Sequence, residues 1–123
     1  MAGRAGPGGE AVRRAVLGDA HVDRAGTSDL AAPFRTLITE GAWGRVWAGD
    51  GIPWRERSML TVALLAALGN WDEIPMHVRA AARTGAAPED LREALQHVAV
   101  YAGVPRANHG LKLLERVLAE ERE

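Results

Sequence analysis

Apolar residues recur along most of this chain in steps of three and four, the spacing of one face of an α-helix. In 29–46, Leu30, Phe34, Leu37, Ile38, Ala42 and Val46 fall on one side. Ser28 or Asp29 is placed to cap that helix, while Gly41 and Gly44 weaken its far end and predict a break near Trp43. Pro53 opens a helix that runs to about Leu68 and is apolar nearly all round from Met59, the pattern of a central buried helix. Gly69 and Asn70 end it. Asp72 is placed to cap a fourth, with Ile74, His77, Val78 and Ala81 on its inner face and Gly85 at its end. Pro88, Glu89 and Asp90 open a fifth, with Leu91, Ala94, Leu95, Val98 and Ala102 inward and Ala87 as a poor N-cap. Pro105 opens a sixth, with Leu111, Leu114, Val117 and Leu118 inside.

The N-terminal quarter is less periodic. Residues 1–9 are rich in Gly, Ala and Pro and predict a flexible tail. Residues 10–17 predict a short helix stopped by Gly18, and 19–28 (DAHVDRAGTS) predict a loop dense in side chains that bind anions or move protons. No strand pattern, repeat or linker interrupts the rest. The expectation is an all-α bundle of about six helices forming one domain over 10–123.

Composition narrows the chemistry. Fifteen basic and 16 acidic residues among 123 leave a formal charge of −1, which argues against a strongly basic nucleic-acid binder. A helix-turn-helix look-alike between His77 and Gln96 opens its second helix with Pro-Glu-Asp, which repels phosphate. The absence of cysteine removes disulfides, thiolate metal sites and thiol chemistry together. His77, His97 and His109 lack the spacing of a metal-ligand motif, and there is no nucleophile elbow or phosphate loop. The longest apolar stretch, Met59 to Leu68, is about half of what a membrane crossing needs, and the N-terminus has no signal-like apolar region. A cytoplasmic protein with no membrane partner is expected.

On spacing alone, His77 reads either as a core histidine or as a proton donor. Glu73, four residues earlier, lies on the same helical side, where a carboxylate favours the protonated imidazole. Arginine is the natural holder of a planar carboxylate, because its fork donates two parallel bonds. Arg57, just ahead of the apolar run, and Arg24, in the HVDR segment, are the candidates; Arg79 falls on another face and suits solvent or a neighbouring subunit. His21 reads equally as an exposed loop histidine or a pocket residue. Trp43 and Trp47, four apart, suit packing or an interface. Tyr101 suits the core or a pocket wall, and His109 a cap or a pocket wall.

Four blocks resemble the 4-carboxymuconolactone decarboxylase family: VLGDAHVDR (16–24), PFRTLITEGAWGRVW (33–47), RERSMLTVALLAAL (55–68) and EIPMHVRAAARTGAAPEDLREALQHVAVYAGVPRANHG (73–110). They follow the family's order and cover nearly everything after the tail. The family is similar to the alkylhydroperoxidase D type, in which a C-x-x-C pair precedes a histidine by four residues. Here that stretch is Asn70-Trp71-Asp72-Glu73 and then His77, so the thiols are gone, the histidine remains and peroxidase activity is not expected. Ala87 stands where a capping Thr or Ser is usual, and Trp71, Asp72 and Pro75 vary the approach to His77.

The resemblance implies an oligomeric all-helical fold, commonly a hexamer built as a trimer of dimers, or a trimer. It also implies cofactor-free decarboxylation of an unsaturated lactone carrying two carboxylates, within protocatechuate (β-ketoadipate) catabolism. The electrons left by CO2 delocalise through the ring double bond onto the lactone carbonyl, and a proton then adds at the carbon alpha to that carbonyl. The residues implied as catalytic are His77, Glu73 and Arg57. Those implied as substrate-binding are His21, Arg24, Trp43, Tyr101 and His109, with no metal and no cofactor. A related decarboxylase or lactone-processing enzyme, or a non-enzymatic helical oligomer, remain as the competing readings.

Overall fold

The structure, a computed structural model, describes residues 7–122. Among them are seven α-helices, a π-helix and a 3-10 turn, with no strand. The all-α expectation holds, with one helix more than the periodicity predicts. No helix is long and apolar enough to cross a membrane among the described residues. The chain divides into two compact units, Met1–Pro53 and Trp54–Glu123.

In the first unit, α1 spans Pro7–Leu17 and α2 spans Asp19–Arg24. Residues 7–9, expected in the tail, are helical; the other six expected there lie outside the described residues. Gly9 explains why α1 packs as it does. A Cβ there would lie 2.6 Å from the Thr39 carbonyl oxygen, so only glycine allows this approach of two backbones. Gly18, at φ 91°, ends α1 in a conformation that side chains resist.

The loop expected over 19–28 is a correction: its first six residues are helical. Arg14 bonds Asp19 at 3.1 Å and Asp23 at 2.9 Å, and Val22 is buried between those two acids in sequence. A single buried residue gives no periodicity to read, so these tertiary anchors were invisible in the sequence.

The helix predicted from Asp29 also changes. Ser28 Oγ accepts the Leu30 N–H at 3.1 Å in a turn, and α3 begins only at Ala32, running to Ile38. It passes directly into a π-helix, Thr39–Trp47. The predicted break near Trp43 is instead a widening of the helix, which the weak α-propensity of Gly41 and Gly44 allows. The widened turns bury Trp43 and Trp47 together, their rings 5.3 Å apart and tilted by 36°. The face expected inside is outside: Leu30 is 92% exposed, and Phe34, Leu37, Ile38 and Val46 are exposed too. Burial of the two larger indoles decides the orientation.

The second unit consists of α4 (Trp54–Leu68), a 3-10 turn (Trp71–Glu73), α5 (Ile74–Thr84), α6 (Pro88–Tyr101) and α7 (Val104–Glu121). Val62, Ile74, Leu91, Leu95, Leu114 and Val117 meet in one core. Each such side chain contributes roughly 1.5–3 kcal/mol when fully buried. The inner faces expected for α5 and α6 are observed, except that Ala102 lies past the end of α6 and is exposed. On α7, Leu113 joins Leu114 and Val117 inside, whereas Leu111 and Leu118 are half-buried.

α4 corrects the expectation of a helix buried all round. Ser58, Val62 and Ala66 form its buried line, while Leu60, Leu64 and Leu68, spaced by four, form an exposed stripe with Leu64 at 60%. The predicted cap of α5 shifts as well. Asp72 lies in the 3-10 turn, Glu73 occupies the N-cap position without a side-chain hydrogen bond, and Pro75 sits in the first turn. Ala87 offers no capping side chain, but the Asp90 carboxylate accepts its N–H at 2.8 Å.

Candidate active site

α5 exists because its first turn accepts a proline and Gly85, at φ 92°, ends it in the left-handed region. Between those ends, the 3.6-residue period turns Ile74, His77, Val78 and Ala81 inward. His77 is thereby held at 9% exposure, with its Nδ1 screened from solvent. A buried imidazole is a polar group in an apolar layer, and it needs specific partners to stay there.

Glu73 does not share that environment. It is exposed at the helix N-cap, so the pair expected on one helical side is separated by burial. At the N-cap its carboxylate makes no capping hydrogen bond.

Arg57 lies in the first turns of α4, half-buried, with its Nε screened from solvent. α4 and α5 run antiparallel: Ser58 Oγ and Thr84 Oγ1 are 2.6 Å apart at one end. His77 lies seven residues before Thr84, about 10 Å along the helix from the level of Arg57. The two share a helix pair but not a helical turn.

The neighbouring Glu56 carries a feature the sequence reading passed over. Its Oε2 accepts a bond from Arg55 at 3.0 Å, whereas Oε1 is buried with no hydrogen-bond partner. A screened carboxylate oxygen with no donor is costly and is positioned to accept one from an incoming group. The Glu56-Arg57 dipeptide at a helix start was the available signal.

At the N-terminal end of α5, Gly69, Asn70, Trp71, Asp72 and Glu73 line a depression of about 390 Å3, one helical turn before His77. The His109 ring stacks on Trp71 with centroids 4.1 Å apart. The Arg106 guanidinium packs against Gly69, where φ is 78° and a Cβ would collide with it. Arg106 is a second residue missed in the sequence; its signal was the cluster that follows Pro105. Asp72 and Glu73 give the depression an acidic wall, which disfavours a dianion lodged within it.

Tyr101 is 81% exposed at the end of α6, stacked on His97, and is not a core residue. Arg79 is exposed and pairs with Glu120 at 3.2 Å. In the first unit, His21 is half-buried and Arg24 exposed on α2, while Trp43 packs with Trp47 in the interior. No group of three or more His, Asp or Glu side chains suited to a metal ion occurs among the described residues.

The model of the carboxymuconolactone decarboxylase family matches residues 32–116, more than half of the chain. This protein belongs to that family. The chain is 39% identical over 111 residues to the 4-carboxymuconolactone decarboxylase of Acinetobacter baylyi, covering 89% of this chain and 83% of that one. It is 35% identical over 109 residues to a nitrosuccinic acid decarboxylase of Metarhizium robertsii, covering 87% and 76%.

The carboxymuconolactone decarboxylase match takes in Trp43, Glu56, Arg57, Glu73, His77, Tyr101, Arg106 and His109, and leaves His21 and Arg24 outside it. This member of the family has no cysteine, so none of its chemistry passes through a thiol.

Proposed function

We propose that this protein decarboxylates a small dicarboxylic acid that carries its own electron sink, with 4-carboxymuconolactone as the substrate and 3-oxoadipate enol-lactone and CO2 as products. The observation that carries the reading is the buried His77 on α5, within the segment shared with decarboxylases acting on two different acids. An unsaturated lactone and a nitro group both delocalise the electron pair left when an adjacent carboxylate departs as CO2. A protein acting on either needs no external sink, and so the reading includes no cofactor.

Three tasks remain for the protein: to hold the spectator carboxylate, to stabilise charge on the lactone oxygen, and to deliver one proton to carbon. His77 is assigned the proton, because a screened imidazole delivers it without competition from bulk water. Arg57 is assigned a carboxylate, which its fork accepts side-on. The extended guanidinium and a substrate with charges at opposite ends together span the axial offset between the two residues. Glu73, exposed at the helix end, acts on the imidazole only through space. His21, Arg24, Trp43, Tyr101 and His109 are kept as substrate-contact candidates to be separated by substitution.

The reading includes self-association. The exposed stripe Leu60, Leu64 and Leu68 is apolar surface that a second copy of the chain would bury. Incubation of the purified chain with 4-carboxymuconolactone should release CO2 and enol-lactone in equal amounts. No turnover of that lactone, with turnover of nitrosuccinate, would move the substrate assignment and retain decarboxylation.

A further inference from the structure

The first unit holds a cavity of about 480 Å3 whose charged lining is unequally partnered. Arg14 is fully engaged. It bonds Asp19, Asp23 and Glu10 at 3.1, 2.9 and 3.0 Å, and these acids hold its guanidinium pKa further above the ordinary range.

Arg13 and Arg35 differ. Arg13 is 19% exposed, and its nearest carboxylate oxygen, on Glu10, is 3.7 Å away, beyond hydrogen-bonding range. Arg35 is half-buried and gives Nη1 to the Ser28 carbonyl oxygen at 2.9 Å, a neutral acceptor; it has no ion pair among the described residues. Glu40 also lines the cavity but is exposed, at its solvent side. Asp19, Asp23 and Glu10 satisfy Arg14, so Arg13 and Arg35 are the guanidiniums of the lining that no carboxylate hydrogen-bonds among the described residues. A partly buried guanidinium with no hydrogen-bonded carboxylate favours a bound anion.

A second cavity of about 200 Å3 adjoins the first. Arg13, Arg35 and Thr39 line both, and Phe34 and Ile38 complete the second. The same two guanidiniums therefore border a polar chamber on one side and an apolar one on the other.

We infer that this double cleft binds a small organic monocarboxylate bearing a short apolar tail. Arg13 and Arg35 hold the carboxylate, the Thr39 hydroxyl donates to it, and the tail lies along Phe34 and Ile38. None of the residues assigned to decarboxylation takes part.

Isothermal titration of the full chain with hexanoate tests this. Saturable binding is expected, with hexanamide, its neutral counterpart, much weaker. Arg13→Gln and Arg35→Gln should each weaken hexanoate by roughly tenfold or more, the loss of one charge-assisted bond, and Arg35→Lys by less. Phe34→Ser, at an exposed position, should weaken hexanoate and leave the much weaker acetate unchanged, which keeps the test valid should an arginine variant misfold. No hexanoate binding, equal binding of hexanamide, or undiminished binding by a folded Arg13→Gln/Arg35→Gln protein would overturn the inference. So would loss of hexanoate binding in His77→Ala with retention in the arginine variants, since the carboxylate would then occupy the decarboxylation site.

Discussion

Arg55 grips Asp90 side-on, with Nη2 2.6 Å from Oδ1 and Nε 3.0 Å from Oδ2. The bond ties the start of α4 to the start of α6, 35 residues later, while Oδ2 also accepts the Ala87 N–H. The Arg55 bond first, and the Ala87 N–H second, hold the Asp90 carboxyl below the usual carboxylate range. A depressed acid stabilises the fold fully above its unfolded pKa and loses that contribution as pH falls through the lower folded value. Asp90→Asn should therefore lower the Tm at neutral pH and lose less further stability on acidification to about pH 3. Thermal unfolding of both proteins at the two pH values checks this, and parallel pH profiles would contradict it.

The Ser58–Thr84 pair predicts an asymmetry. Thr84 Oγ1 also donates to the Ala81 carbonyl oxygen at 3.2 Å, so Ser58 is the donor between the two hydroxyls. Ser58→Ala removes a donor and leaves Thr84 bonded, at a cost of about 0.5–1.5 kcal/mol. Thr84→Val strands a hydroxyl that is 1% exposed, at a cost of about 1–3 kcal/mol. Urea unfolding should rank Thr84→Val as the more damaging, and the reverse order would assign the donor wrongly.

Adjacent glycines in α1 should respond in opposite directions. Nothing lies within 4 Å of a Cβ at residue 8, so Gly8→Ala should be neutral or stabilise by up to about 1 kcal/mol through helix propensity. Gly9→Ala drives a methyl into the Thr39 carbonyl and should cost roughly 1–3 kcal/mol. Denaturation monitored by Trp43 and Trp47 fluorescence, with Trp54 and Trp71 replaced, reports on this unit.

For catalysis, His77→Gln should lower kcat for decarboxylation by about 10²- to 10⁴-fold, the usual worth of a placed acid. Helix content and assembly should persist. A full rate in a correctly assembled His77→Gln protein would remove the imidazole from the reaction.

Self-association is expected to be sensitive to the α4 stripe. Leu64→Glu places a charge at the middle of the proposed contact, and sedimentation velocity should show a shift toward monomer with helix content retained. An unchanged sedimentation coefficient would locate assembly elsewhere.

Much of the fold was legible. The inner faces of α5 and α6 follow from their periodicity, and Gly69, Gly85 and Gly103 mark turns at positive φ. His77 was legible as a residue on the core face of α5. Spacing put Glu73 four residues before it but did not show that Glu73 is exposed at the N-cap while His77 is buried. Glu56 and Arg106 were missed because their roles depend on neighbours distant in sequence: a buried oxygen without a donor, and a close approach to Gly69.

The sequence by itself determined the helical class, the order of the segments, the absence of thiol chemistry and the inward position of His77, since these depend on local period and composition. Tertiary structure alone decided that α2 is helical, that the chain widens into a π-helix around Trp43, and that the apolar residues of α3 and one stripe of α4 face outward. Those outcomes depend on competition between surfaces far apart in the chain: two indoles outweigh several smaller side chains, and Arg14 gathers acids that no helical period links. The same tertiary gathering leaves Arg13 and Arg35 without a hydrogen-bonded carboxylate at one cleft, an arrangement that no reading along the chain could reveal.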